Sequence, residues 1–215
     1  MVVSINKIKF LLSFIFIVTI YANDNYIDVI TTNDMHGFLN EQDAFFMNPN
    51  FPPKIIGGAA FIQYINEIKE KLTSVSNDML ILDGGNFFQG HPVGIVDSGR
   101  TIIEWMNKVG YDAIVPAQND FLFGYENLIS LSKQANFPFL AANIIDSNGN
   151  NIFDPYTILN IKNVKIGVIG IAGDVINESV LKQNIDGIKI LSSAETMQNW
   201  VSQLKQMDVV IIVVL

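Results

Sequence analysis

"MLILDGGNFFQG", Met79 to Gly90, is the stretch on which the reading of this chain turns. Four apolar residues run into Asp83, two glycines and Asn86. That layout is a buried strand handing its end to a tight loop that other groups can approach closely, the place where α/β proteins put their chemistry. At the tip stands Asn86, a neutral amide, where a metal site would take a carboxylate.

Elements of the same kind lie on either side. Ile27 to Thr32 ("IDVITT") reads as a first buried strand. "GGAAFIQYINEIKEKL" follows, with Phe61, Ile65, Ile68 and Leu72 at helical spacing. "RTIIEWMNKVG" is a helix with Ile102, Met106 and Val109 on one face and Gly110 as its left-handed cap. "DAIVPA" reads as a third strand, "YENLISLSKQA" as a helix with Leu128, Leu131 and Ala135 inward, and "FPFLAAN" as a fourth strand. "YTILNIKNVKIGVIGI" is a hairpin turning at Lys162 and Asn163, whose second arm is apolar enough to be central. Ser192 and Glu195 make a capping box before a helix with Met197, Trp200, Val201 and Leu204 inward, and "DVVIIVVL" closes the series as a buried strand. Strands alternating with helices give an α/β fold.

The 215 residues are 49% hydrophobic and 16% charged, enough for one α/β domain with a proper core or the larger part of a two-domain protein. Residues 1–22 stand apart. Lys7 and Lys9 precede the apolar run Phe10 to Ile20, and Ala22 offers a small residue for cleavage. A membrane span needs ~20 apolar residues, so this shorter run reads as a secretory signal and places the mature protein outside the cell or in a periplasm. Its removal takes two of the 13 basic residues and none of the 21 acidic ones, so the formal charge moves from −8 to −10. Such a surface repels nucleic acid and anionic lipid, which argues against a nucleic-acid partner and against stable membrane association once the signal is gone. With no cysteine there is no disulfide, thiolate metal site or lipid-modified N-terminal cysteine.

Three strand ends deliver polar loops: "TTNDMHG", "DGGNFFQG" and "AQNDFLFG". Asp34 and His36, two apart in an extended stretch, can both turn toward one ion. A carboxylate oxygen with an imidazole nitrogen suits zinc, manganese or iron. Taken alone, Asp-x-His reads more readily as a loop aspartate with a solvated or capping histidine. His91, ahead of Pro92, reads as a packing or hydrogen-bonding histidine at the loop base.

Taken together, "TNDMHG", "GGAA", "LDGGNFFQGHPVG", "NKVGYDAIVPAQNDFLFG", "FLAANI", "PYTI" and "KIGVIGI" resemble, in order, the N-terminal catalytic domain of secreted 5'-nucleotidases. These are calcineurin-like metallophosphoesterases that include the periplasmic UDP-sugar hydrolases. The resemblance runs from Ile27 to Leu215 and implies a sandwich of two mixed sheets flanked by helices. It implies a dinuclear centre of Zn, Mn or Mg that hydrolyses phosphate esters of nucleotides. Asp34 and His36 match first-loop metal ligands. Asn86 falls where the family has an aspartate bridging both ions. Gln118 falls at a ligating asparagine, Asn119 at the histidine that protonates the leaving group, and Leu122 at the aspartate that orients it. Asn143 falls at an asparagine near the substrate.

The resemblance also implies further metal histidines on loops beyond the equivalent of Leu215, and a separate nucleotide-binding domain. Residues 23–215 therefore read as a partial domain lacking those parts, and the whole sequence has only two histidines. An amide at Asn86 cannot screen two ions roughly 3.5–4 Å apart as a shared carboxylate does. Asn119 cannot transfer a proton near neutral pH, a contribution worth about 10²–10⁴ in rate. The expectation is a catalytically impaired metallophosphoesterase domain. The alternatives are an active split nucleotidase completed by a second chain, and a remnant that binds a metal or phosphate without catalysis.

Overall fold

Met79–Asp83 forms strand β4, and all five of its residues are buried. A strand so covered needs a neighbour on each side and material on both faces. In the structure, a computed structural model that describes residues 27–73 and 79–215, it has both. β1 (Asp28–Thr32) and β5 (Ala113–Ile114) pair with it in parallel, giving the order β1-β4-β5. The proposed signal, residues 1–22, lies outside the described residues. Two short strands, β2 (Gln42–Asp43) and β3 (Lys54–Ile55), make a small antiparallel ladder between β1 and the first helix.

One face of the parallel sheet is covered by α1 (Gly58–Thr73), the short α2 (Pro92–Ile95), α3 (Arg100–Val109) and α4 (Tyr125–Ser132). Ile65, Ile102, Met106, Val109 and Leu128 pack there with Met79 and Ile81. Leu72 shares the stripe by its spacing, and its side chain is outside the described set. Gly110 is left-handed (φ 83°), and its N–H returns to Met106 O, the cap expected of it. Trp105 Nε1 donates to Gly58 O at 2.9 Å and Lys69 Nζ to Val109 O at 2.9 Å, which ties α1 to α3.

The opposite face carries Leu80, Leu82, Ala113 and Val115, packed against a second sheet through Ile161, Ile166 and Val168. That sheet is mixed, in the order β10-β8-β7: β7 (Tyr156–Ile161) runs antiparallel to β8 (Val164–Ile169), and β10 (Ile211–Val214) runs parallel to it. β8 is central, as its apolar run requires. Lys162 and Asn163 both take positive φ (49° and 63°), the geometry that matches a two-residue hairpin to strand twist. β6 (Ile144–Asp146) and β9 (Ile188–Ile190) form a further two-stranded ladder, with α5 (Ile176–Ser179) between them in sequence. α6 (Ser193–Leu204) packs on the outer face of the second sheet and is capped by Ser192 Oγ, which accepts from Glu195 N at 3.4 Å.

Four expectations are corrected. β1 and β10 are not buried strands: among the described residues each is outermost in its sheet, and every residue of both is exposed or only partly covered. "DAIVPA" keeps only two strand residues, because Pro116 has no N–H to continue the ladder. "FPFLAAN" is not a strand. Its N–H groups change partner at each residue, Leu140 to Ile114 O, Ala141 to Asp154 O and Ala142 to Gly170 O, so the segment links the sheets without extending either.

Candidate functional site

The C-terminal ends of β1, β4 and β5 lie side by side because the three strands are parallel neighbours, so the loops after them meet at one edge. Close packing of small residues lets them meet. Gly37, in the left-handed region (φ 72°), leaves no room for a side chain: a Cβ there would fall 2.5 Å from Phe88 O and 2.9 Å from Gly94 Cα. Backbone bonds continue the seam, from Asp34 N to Gly85 O (3.0 Å), His36 N to Asn86 O (2.8 Å) and Gly37 N to Phe87 O (2.9 Å).

Asp34 and His36 do reach one point, by a different route from the extended one expected. Both sit at positive φ (53° and 48°), and so does Asn86 (55°). Left-handed backbone is tolerated by Asp, Asn and His, yet three such residues in contact are a local concentration of strain of the kind that collects at functional sites. His36 Nε2 lies 3.8 Å from Asp34 Oδ1. His36 Nδ1 is 2.8 Å from Gln89 O; a carbonyl only accepts, so Nδ1 carries a proton, and Nε2 is the ring nitrogen on the Asp34 side.

The amide of Asn86 links all three loops. Its Nδ2 donates to Asp34 Oδ1 at 2.7 Å, and its Oδ1 accepts from Asn119 N at 2.9 Å. Asp34 Oδ2 accepts in turn from Asn33 Nδ2 at 2.7 Å. Each oxygen of the Asp34 carboxylate therefore already has an amide donor. Gln118 opens the 3-10 helix Gln118–Phe123, with Asn119 beside it on the same turn. Leu122, on that turn, is partly open to solvent, and its carbonyl accepts from Asn184 Nδ2 at 3.0 Å.

Two buried carboxylates that sequence reasoning passed over hold this arrangement. Asp120 is fully buried. Its Oδ2 accepts from Asn86 N (2.7 Å) and Ala117 N (3.0 Å), and its Oδ1 from Phe87 N (2.9 Å), so one side chain clamps the second loop to the third. Burial pushes its carboxyl up to about 7 against the opposing pull of those N–H groups. Asp83, also fully buried, accepts from the Thr32 hydroxyl at 2.5 Å and from Gly85 N at 2.8 Å. Burial pushes it up to about 6, with Thr32 and Gly85 opposing and the nearby Asp34 adding to the rise. Tyr111 donates to the Thr32 oxygen at 2.8 Å, and burial raises its phenol well above the usual range. The available signal was an aspartate set inside an apolar run, as in "LILDG" and "NDFLF".

Two other sequence candidates face the protein. Asn143 is fully buried, and its amide joins Ala172, donating to Ala172 O (2.7 Å) and accepting from Ala172 N (2.9 Å). His91 caps α2 through Nδ1, which accepts from Val93 N at 3.3 Å, and its ring packs 4.5 Å from that of Phe38.

As a metal centre the donor set is thin. The residues that could ligate are Asp34, His36 through Nε2, and the amide oxygens of Asn86 and Gln118, of which the Asn86 oxygen is already engaged by Asn119 N. Among the described residues no group of three or more His, Cys, Asp or Glu converges on a point. These residues do not fit a pair of divalent ions.

No family model matches the chain. It is 28% identical over 182 residues to a 5'-nucleotidase of Vibrio cholerae, a match covering 84% of this chain and 31% of that protein. It is 31% identical over 149 residues to protein UshA of Yersinia enterocolitica, covering 69% of this chain and 26% of that one. The chain thus spans about a third or less of the length of the curated relatives it matches. Among solved structures, the calcineurin-like phosphoesterase YfkN of Bacillus subtilis superposes with a TM-score of 0.70 at 24% identity, over 87% of this chain and 60% of that one. Sequence and fold agree: the chain belongs to the 5'-nucleotidase family and has the fold of a calcineurin-like phosphoesterase.

Proposed function

We propose that this chain is the metallophosphoesterase part of a 5'-nucleotidase-type protein, descended from hydrolases of nucleotide phosphate esters, whose own site no longer turns over. Residues 23–215 are the partial phosphoesterase domain of a secreted or periplasmic protein. The observation that carries the reading is the hydrogen bond from Asn86 Nδ2 to Asp34 Oδ1. Two positions that would share divalent ions in a working centre are bonded to each other, through a neutral donor that occupies the approach to the carboxylate.

The loss extends to proton transfer. Asn119 offers no acid or base near neutral pH, and Leu122 has nothing to orient. What remains is a place for at most one cation, Zn²⁺, Mn²⁺ or Mg²⁺, between Asp34 and His36 Nε2, with Gln118 at its rim and a nucleotide phosphate as the matching ligand class. Asn143, at the family's substrate-side position, serves as a spacer behind the loops.

The test combines activity with metal binding. Nucleoside monophosphates and p-nitrophenyl phosphate are expected to show no hydrolysis above background, with or without Mn²⁺ or Zn²⁺. Turnover that disappears in His36→Ala would overturn the reading. In calorimetric titration with Mn²⁺, wild type is expected to bind weakly or not at all. Asn86→Asp should bind measurably, because it replaces an N–H donor to Asp34 with an anionic oxygen, and Asn86→Asp with Asp34→Ala should lose the gain. Hydrolysis should stay absent in all three, since the proton donor is still missing. No gain in Asn86→Asp would mean that Asp34 and His36 are not aimed at a common ion.

A further inference from the structure

We propose that a cavity between the loop after β1 and the start of α1 is a binding site for a small apolar molecule built on a single aromatic ring. The site is separate from the phosphoesterase reading above and does not depend on it.

The cavity measures about 150 Å³. Thr32, Met35, Phe38 and Leu39 line it from the end of β1 and the loop that carries Asp34 and His36. Ile56, Gly57 and Gly58 line it where the chain enters α1, and the rings of Phe61 and Trp105 complete the wall from α1 and α3. Trp105 is only 9% exposed, whereas Phe38 and Ile56 are 40% and 58% exposed, so the cavity has a covered floor and a rim in solvent.

Two glycines build it. A Cβ at Gly58 would fall 2.6 Å from Trp105 Nε1 and 3.0 Å from Leu39 Cδ2, and one at Gly57 would fall 2.7 Å from Leu39 O. The "GGAA" stretch, which has no part in the loop edge around Asn86, thus lets α1 begin directly against Leu39 and Trp105. Gly58 N donates to Leu39 O at 2.8 Å, and Gly58 O accepts from Trp105 Nε1 at 2.9 Å. The Phe61 and Trp105 rings stand 5.7 Å apart between centroids. The wall is held in place before any ligand arrives, which lowers the cost of binding.

Size and chemistry select the occupant. A ligand of nucleotide size takes a pocket of roughly 300–1,000 Å³. An engineered protein cavity of about 150 Å³ takes benzene. The polar side-chain atoms of this wall are already engaged: the Thr32 hydroxyl lies between Asp83 Oδ2 and the Tyr111 hydroxyl, and Trp105 Nε1 is on Gly58 O. A polar ring finds no free side-chain partner there, whereas an apolar one finds the Met35 thioether, Leu39 and two aromatic neighbours. Met35 lies between Asp34 and His36, so a ligand in the cavity packs against the loop that carries both.

The probe is toluene, with adenine as the polar ring of comparison. The full chain carries two tryptophans, so Trp200→Phe leaves Trp105 as the sole reporter. Toluene should shift the Trp105 emission saturably. At about ten times its dissociation constant it should raise the melting temperature by about 3–5 °C. Adenine should do neither. In calorimetric titration Leu39→Trp, which fills the cavity, should weaken toluene binding about tenfold or more. Ile56→Trp, at the open rim, should weaken it as well, and its exposed position keeps the test available where Leu39→Trp does not fold. Leu181→Trp, at an exposed leucine outside the wall, should bind toluene as wild type does. Absence of a saturable shift up to the solubility limit of toluene would overturn the proposal. So would adenine binding as tightly as toluene, or toluene binding that survives both filling substitutions. Neither hydrolysis nor metal enters these readings, so the catalytic reading stands or falls separately.

Discussion

Asp120→Ala is expected to destabilise the folded domain by roughly 3–5 kcal/mol, more than any other single polar substitution at the loop edge. Three backbone N–H groups, those of Asn86, Phe87 and Ala117, end on this carboxylate, and two of them belong to the loop that carries Asn86. Alanine leaves all three without an acceptor in a place with no solvent, and an unpaired buried donor costs about 1–3 kcal/mol. Asp120→Asn keeps one carbonyl oxygen and turns the other acceptor into a donor that faces N–H groups, so it should recover part of the loss but not half of it. Asp146 is the comparison. It also accepts backbone N–H groups, from Asn148 and Asn150, but at an exposed turn where water can replace it, so Asp146→Ala should cost far less. Urea unfolding of the three variants measures this. A loss at Asp120→Ala no larger than at Asp146→Ala would show that the clamp is dispensable.

The same residue shows where the sequence could be read and where it could not. Asp34, His36 and Asn86 were legible as a group because strand ends in a parallel sheet must lie together, and that follows from element order alone. Their shared left-handed backbone was not legible, since φ depends on how the loops pack around Gly37 and Gly94. Asp120 left only the weak signal of an aspartate beside an apolar run, because its partners are backbone N–H groups, which every residue but proline carries. The helices were read well: the stripe in α3 and the cap at Gly110 are local features, and so is the turn at Lys162 and Asn163. β1 and β10 failed for a nonlocal reason. An apolar run announces a strand, and whether a neighbour lies on both sides of it depends on segments far away in sequence. "FPFLAAN" failed similarly, because a run that alternates partners between two sheets has the composition of a strand without its ladder.

Raising the pH from 5 to 8.5 is expected to weaken the fold progressively, which is the reverse of the usual behaviour of a protein rich in paired carboxylates. Burial pushes Asp83 up to about 6 and Asp120 up to about 7, and it raises Asp112 as well. In the unfolded chain these groups titrate near 3.9. Between roughly pH 4 and pH 7 the native state therefore holds more protons than the unfolded state, and stability falls with rising pH wherever that is so. The stabilisation is fully present below the unfolded value and is lost as pH passes through the folded values. Each extra proton held by the native state costs about 1.4 kcal/mol of stability for every pH unit climbed, so the loss amounts to several kcal/mol. The growing negative charge of an already acidic chain acts in the same direction. Asp146 is held low by its Asn150 and Asn148 partners, so its contribution disappears only at more acid pH and leaves this window untouched. Melting temperatures at pH 5, 6, 7 and 8.5 should fall in sequence, with the steepest step between 5 and 6, where the native state still holds both protons. In Asp120→Asn the step between 6 and 7 should shrink most, because Asp120 holds most of the extra proton there, while the fall up to about pH 6 from Asp83 remains. A melting temperature that rises across the range would mean that both carboxyls are already ionised in the folded protein at pH 5, with the N–H donors outweighing burial.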